Sequence, residues 1–290
     1  MIGFLVIDKP AGCTSHDVVA AVRRATGIKK AGHAGTLDPM ATGVVVVALG
    51  RATRLIRFVQ DHDKEYLATA RFGELTDTLD ADGAVLEREP MDVTLADIRS
   101  VATRFVGTIM QVPPMVSALR VGGRRLYELA REGTEVERAA RPVVVTELEI
   151  IDAGPPPYPD VRMRVKCGKG TYIRSLADDL ASALGGRAHL TSLRRTAAGP
   201  FTVDDAVSLD ELPEGWRGAV VSPADTLSDM SRFEVDEAGA SAVRHGTVFA
   251  RAPIDGVGEG DHFIVCGPDG SLLAVYTVTG KGAKPEVVIA

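Results

Sequence analysis

Residues 43–50 read Gly-Val-Val-Val-Val-Ala-Leu-Gly, an uninterrupted apolar run from Val44 to Leu49 between two glycines. β-Branched residues in an unalternated run describe a fully buried strand, one that must sit inside a covered sheet. At 290 residues the chain is long enough to supply that cover from one large domain or two unequal ones. Its composition, 45% hydrophobic and 25% charged, is that of a soluble globular protein. The run is far shorter than the roughly 20 residues needed to span a bilayer. The opening "MIGFLVIDKPAG" has no basic region before its apolar stretch and reads as a strand, not a signal peptide. Cys13, Cys167 and Cys266 are widely spaced and suggest neither a disulfide framework nor a zinc site. A cytoplasmic protein is expected.

The remaining pattern supplies helices and further strands. Ser15 reads as the N-cap of a helix running to about Ala25 and closed by Gly27. A helix is expected over 51–60, a strand over 64–73, and a turn-rich loop over 78–83. Thr94 begins another helix with Asp97 as its capping-box partner. Strands follow near 143–151 and 160–167, then a helix near 172–184 that Thr171 could cap. The chain turns acidic and proline-punctuated over 208–232, which reads as a separable connection. One short helix and strand-like pieces near 262–266, 272–278 and 286–289 complete it. The fold class expected is α+β: a mixed central sheet flanked by helices, then a small β-rich domain. The boundary falls at 230, giving domains 1–230 and 231–290.

The net charge of −6 argues mildly against a nucleic-acid binder, but the charge is segregated. Residues 162–195 carry eight Arg and Lys against Asp178 and Asp179, a local +6, whereas 202–237 hold ten acids against Arg217 and Arg232. A basic face on an acidic protein still attracts phosphate, because the local field governs encounter.

One loop invites chemistry. In "GHAGTLDPMATG" (32–43) Asp38 precedes Pro39, which forces extended backbone at Asp38 and withholds an amide donor from its carboxylate. The glycines flanking His33 let backbone approach another surface closely. The loop presents Asp38 and His33, although an Asp-Pro turn is the plainer reading. In "CGKGTYIRSLADDL" (167–180) Arg174 falls in a helix's first turn, where the dipole disfavours a cation, so an anionic partner is expected. Tyr66 stands in the strand-like "DKEYLATARFG".

Together these stretches, with "KPAGCTS" (9–15), "GHAGTLDPMATGVVVVALGRATR" (32–54), "DKEYLATARFGELTDTLDADG" (63–83) and "QVPPMVSALRVGGRRLYELAREGTEVERAARPV" (111–143), resemble the bacterial tRNA pseudouridine synthase B family. The resemblance covers about residues 1–200 in the family's order, with Met40 where leucine is usual. Residues 231–290 more faintly resemble the PUA-type RNA-binding domain that such enzymes often carry. The resemblance implies isomerisation of uridine 55 in the T-loop of tRNA, without metal or cofactor. Asp38 is then the nucleophile, Arg174 its charge partner, and Tyr66 the ring that stacks on uracil and takes part in proton transfer. Tyr172 and Leu193 complete the pocket wall, and Lys9 and Asp80 join the substrate contacts. His33 fills the space left by the flipped base, a stacking contact worth about 1–3 kcal/mol. The 111–142 segment resembles a thumb-like insertion that closes over RNA. The partner implied is tRNA, through its T-arm and loop, bound by a monomer needing no membrane and no obligate protein partner. Two alternatives are weaker. A glycosidase needs a second carboxylate, and none is convincingly placed. A non-catalytic tRNA-binding or chaperone protein would use Asp38 and Arg174 only as a structural ion pair.

Overall fold

The computed structural model describes residues 1–117, 119–134 and 136–289. Its frame is a ten-stranded mixed sheet. The path runs Val207–Ser208, Gly3–Lys9, Thr42–Leu49, Ala188–Ala198, Lys64–Phe72, Asp160–Cys167, Arg141–Ala153, Gly107–Gln111. Ala31–His33 adds to Thr42–Leu49, and Phe201–Thr202 to Ala188–Ala198. The valine run lies inside this path with every residue from Gly43 to Leu49 buried, because strands flank it and both faces are covered.

Alternation divides the cover between two cores. Leu5, Ile7, Val45, Val47, Ala68, Val165 and Leu193 share one core with Val18 and Val22 of the Ser15–Thr26 helix, Ile98 of Leu95–Ala102, and Leu176 and Leu180 of Ile173–Ser182. Phe4, Val6, Val44 and Val46 share the other with Phe58 and Val59 of the Ile56–Asp61 helix. Ile264, Val275, Val287 and Ile289 belong to that second core. The first three come from a four-stranded C-terminal sheet of Ser231–Glu234, His262–Cys266, Leu272–Thr279 and Gly282–Val288, with the Glu237–Arg244 helix beside it, and Ile289 directly follows its last strand. The architecture is the expected α+β arrangement with a β-rich C-terminal part.

Several local details differ from the sequence reading. The first helix is capped by Thr14, not Ser15, since Asp17 lies three residues beyond Thr14 and completes a capping box with it. Residues 51–60 divide into a 3₁₀ turn, Gly50–Leu55, and the helix Ile56–Asp61. Tyr172 is the cap position before Ile173–Ser182, and Thr171 instead donates its hydroxyl to the Gly168 carbonyl at 3.1 Å. The last strand is Gly282–Val288, and Ser231–Glu234, too short and polar to stand out, pairs in parallel with His262–Cys266. The acidic stretch is not a free connection. Leu212 and Trp216 enter the first core, while Ala224 and Leu227 enter the second. Within the expected 111–142 insertion, Ala118 and Glu135 lie outside the described residues. The rest includes a ribbon of Arg120–Val121 and Arg124–Arg125 and the short helix Leu126–Arg131, with Leu126 and Leu129 buried. No helix among the described residues is long and apolar enough to cross a membrane.

The shared second core makes a prediction about truncation. Ending the chain at residue 230 removes Ile264, Val275, Val287 and Ile289 from the core that Phe4, Val44 and Val46 share. Burial of such side chains contributes about 1.5–3 kcal/mol each against a total margin of about 5–15 kcal/mol. The truncated chain should melt about 10 °C or more below the full chain, or lose cooperative melting, in calorimetry. Equal midpoints would show that the two sheets are energetically independent.

Candidate active site

The Asp38 loop is held from behind by groups that the sequence places at the end of the first strand. Lys9 is fully buried, and its ammonium donates to the carbonyls of Pro10 at 2.9 Å, Cys13 at 2.7 Å and Pro39 at 3.1 Å. Gly12 N–H also donates to the Pro39 carbonyl, at 2.9 Å. Ser15, released from capping, takes the Leu37 amide on its hydroxyl at 2.9 Å and thereby fixes the residue before Asp38. Past the loop, Thr42 and Gly43 pair in parallel with Arg194 and Arg195. Gly43 has φ 106°, and a Cβ there would lie 2.1 Å from the Arg195 carbonyl oxygen, so only glycine permits this joint.

Arg174 meets the loop from the Ile173–Ser182 helix. Gln111, 1% exposed, clamps the residue two before it: its side-chain carbonyl accepts from Tyr172 N–H at 2.8 Å, and its amide donates to the Tyr172 carbonyl at 3.0 Å. The guanidinium then forms a fork on Asp38, Nε to Oδ2 at 2.9 Å and Nη2 to Oδ1 at 3.1 Å. Nη1 donates to the Thr78 carbonyl at 2.8 Å and lies 3.5 Å from Asp80 Oδ2, while Nη2 also donates to the Val116 carbonyl at 2.8 Å. The Arg174 side chain is 3% exposed and that of Asp38 29%. The cation is sealed in, and its carboxylate partner keeps a face open.

Between Thr78 and Asp80, Leu79 has φ 61°, the one non-glycine with a left-handed backbone among the described residues. Such a conformation costs about 1–3 kcal/mol. Thr78 donates its hydroxyl to Asp80 Oδ1 at 2.6 Å, and Leu190 N–H donates to the Leu79 carbonyl at 3.0 Å.

Tyr66 and Leu193 flank this centre on neighbouring strands, in the register Arg195↔Tyr66 and Leu193↔Ala68. Burial pushes the Tyr66 phenol above its ordinary pKa, and the Arg195 guanidinium beside it opposes that shift. Arg195 is itself 2% exposed and donates its Nε–H to the Val44 carbonyl at 2.6 Å. Met40 and Leu193 line a cleft of about 440 Å³ together with Thr42, Leu67, Thr69 and Arg194. His33 ends the Ala31–His33 strand with its ring edge-on to His16, centroids 5.2 Å apart.

The structure thus joins Asp38, Arg174 and Asp80 directly, sets Tyr66, Tyr172 and Leu193 nearby on adjoining elements, and revises two expectations. Lys9 is not available to a substrate, because three carbonyls occupy its ammonium; it is a strut of the loop. Asp80, 5% exposed, does not face outward as an acceptor for nucleotides; its carboxylate turns inward, toward Thr78 and Arg174. Gln111, Leu79 and Arg195 escaped the sequence reading. Only Arg195 left a signal there, since it lies two positions from inward-facing Leu193 on one strand.

The basic segment is revised as well. Arg162 pairs with Asp152, Arg164 with Glu147 and Glu149, Lys166 with Glu147, and Lys169 with Asp61. Arg187 pairs with Asp178, Arg194 with Asp8, and Arg174 with Asp38, which leaves no uncompensated basic face at 162–195. The uncompensated charge lies elsewhere. Between residues 18 and 60 stand Arg23, Arg24, Lys29, Lys30, Arg51, Arg54 and Arg57 against Asp38 alone; all seven cations are exposed, and of them Arg57 pairs with Glu286 at 2.7 Å.

Burial, with help from His16 and Arg195, pushes the His33 imidazole from 6.5 down to about 4. The unfolded chain therefore takes up this proton first on acidification. The group costs no stability above the unfolded value and removes it progressively as pH falls from about 6.5 towards 4. Urea denaturation at pH 7 and pH 5 should show the parent losing about 2 kcal/mol more than His33→Asn over that step. Equal losses would mean the ring titrates freely in the folded protein.

Residues 23–173 match the family described as TruB family pseudouridylate synthase (N terminal domain). Residues 174–227 match the tRNA pseudouridylate synthase B C-terminal domain, and 230–290 match tRNA Pseudouridine synthase II, C terminal. The tRNA pseudouridine synthase B of Symbiobacterium thermophilum is 50% identical over 245 residues, covering 84% of this chain and 82% of that one. The protein of the same name from Thermobifida fusca is 44% identical, covering 99% of this chain and 98% of its own. Among solved structures, a chain in the crystal structure of a Cbf5–Nop10–Gar1 complex superposes with a TM-score of 0.80 at 28% identity, covering 99% of this chain and 85% of that one. A chain of an H/ACA RNP bound to a substrate RNA containing 2′-deoxyuridine gives 0.76 at 26% identity, with coverage of 99% and 85%. With a family match over more than half its length and relatives near half identical throughout, the chain belongs to the TruB family of pseudouridylate synthases and is an isomerase.

Proposed function

We propose that the chain converts uridine 55 in the T-loop of tRNA to pseudouridine with Asp38 as nucleophile. The observation that carries this is the fork of Arg174 on Asp38. It holds both carboxylate oxygens on charge-assisted hydrogen bonds and leaves one side of the group open. The reaction breaks the N1–C1′ bond, turns the uracil, forms C5–C1′, and releases the C5 proton to solvent while N1 takes one up. A carboxylate serves this by adding to C1′ or C6, or by stabilising an oxocarbenium-like centre. Tyr66 stacks on the base, Tyr172 and Leu193 bound it, and His33 occupies the space of the nucleotide flipped from the loop. Arg23, Arg24, Lys29 and Lys30 supply the phosphate contacts, a role the paired cations at 162–195 cannot fill. The 111–142 segment closes over the RNA, and residues 231–290 add to affinity. The protein works as a cytoplasmic monomer.

Tritium release from a tRNA transcript carrying 5-tritiated uridine tests the reading directly. The parent should release it, and Asp38→Asn should fall by at least about 10³-fold, in the range typical for loss of an essential catalytic group, while tRNA binding stays within a few-fold. Binding of tRNA by the parent without any release would favour a chaperone. Turnover by the asparagine variant would end the assignment of Asp38.

Salt titration tests the surface. Replacing Lys29 and Lys30 together by Gln should weaken tRNA binding and flatten the log–log salt dependence by about 1.5, from a slope of about 0.7–0.9 per phosphate contact. An unchanged slope would place the RNA backbone elsewhere.

A further inference from the structure

We propose that Leu79 is a positioning residue for the reaction read above, and that its left-handed backbone sets the edge that Arg174 offers to Asp38. Arg174 Nη1 has the Thr78 carbonyl at 2.8 Å and Asp80 Oδ2 at 3.5 Å. Those two acceptors come from residues on either side of Leu79. In an extended strand a carbonyl lies in the plane of the sheet and the side chain two residues on stands roughly perpendicular to it, so the two do not converge readily on one donor. The turn at φ 61° makes that convergence possible.

With Nη1 occupied, the guanidinium cannot rotate to offer its Nη1–Nη2 edge. Only the Nε–Nη2 edge remains, and it is the edge that forks onto Asp38. The turn is pinned on both sides. Leu79 N–H donates to the Thr76 carbonyl at 3.2 Å, and the Leu79 carbonyl accepts from Leu190 on the Ala188–Ala198 strand at 3.0 Å. Thr76 Oγ1 donates to the Asp80 carbonyl at 2.8 Å. A leucine in this conformation is disfavoured, so the surroundings enforce it, and such strain concentrates at functional sites. Leu79 lines a pocket of about 270 Å³ with Leu75, Val112 and Met115, and Ser175, next to Arg174 in the helix, borders it too.

Substitutions at position 79 separate backbone from bulk. Gly, Asn, Ala and Val at position 79 rank by tolerance of a left-handed backbone in that order. Ranked by resemblance to leucine in size and apolarity they run the other way, with Val first and Gly last among the apolar three. Single-turnover assays on full-length tRNA should give Leu79→Gly and Leu79→Asn within about threefold of the parent. Leu79→Ala should be slower, and Leu79→Val should lose at least about 30-fold in rate with tRNA affinity within threefold. Crystal structures of the Gly and Val variants supply a readout besides activity: the fork on Asp38 kept in the first and broken or shifted in the second. If Val does not fold, the order of Gly, Asn and Ala still decides. Activity that follows side-chain size, or a Val variant with parental rate and intact fork, overturns the proposal. A parent that makes no pseudouridine would instead sink the functional reading, and the two crystal structures would still judge the turn.

Discussion

One buried guanidinium organises the site. Arg174 draws acceptors from three separate stretches of chain: the Asp38 carboxylate, the Thr78 carbonyl and the Val116 carbonyl. None of these is optional for a side chain 3% exposed, since an unpartnered charge at such depth costs several kcal/mol. The same arithmetic explains why the arrangement is poor as a stabilising device. Desolvation consumes most of the Coulombic gain, and a well-packed apolar substitute often does as well. What the ion pair supplies is geometry: an ionised carboxylate held on two points, with its remaining lone pairs directed away from the guanidinium.

The asymmetry of exposure follows from where each partner is anchored. Arg174 rides on a helix whose start is gripped by Gln111 and whose inner face is fully buried. Asp38 sits on a loop whose backbone is fastened from behind, by Lys9 and Gly12 on Pro39, by Ser15 on Leu37 and by Arg195 on Gly35 and Thr36. Pro39 offers no amide to compete for the carboxylate. A loop tied at its back and free at its front can present a reactive group without spending the group's own acceptors on the tie.

Much of this was legible in the sequence, and the residues that were not explain why. Asp38 and Arg174 announced themselves by conflict with their surroundings, a carboxylate before proline and a cation in a helix's first turn. The valine run declared its burial through its composition. Leu79 gave no sign, because its contribution is a backbone angle that its side chain disfavours. Gln111 acts through the backbone of a residue 61 positions away, and nothing in its neighbourhood points there. The basic segment misled for a related reason: local charge counts omit partners such as Glu147, Asp61 and Asp8, which only the fold brings opposite. Ser15 and Thr14 exchanged roles because either hydroxyl suits a cap, and the tie-break, Asp17 at three residues from Thr14, also frees Ser15 to hold the loop.

The C-terminal sheet bears on the site through the strands it covers. Its Ile264, Val275 and Val287, and Ile289 directly after it, share a core with Phe4 and Val6 of the Gly3–Lys9 strand and with Val44 and Val46 of Thr42–Leu49. Those two strands are antiparallel in register, ending at Lys9↔Gly43. Lys9 is the strut behind Pro39, and Gly43, just past the loop, is the joint against Arg195, so two of the loop's anchors lie at the ends of strands that share a core with the C-terminal sheet. Rigidity passes along a hydrogen-bonded strand far more readily than across a solvated linker. The distant sheet thus steadies the carboxylate without contacting it, and fixing the strand ends that carry the loop is a structural role separate from any part in binding RNA.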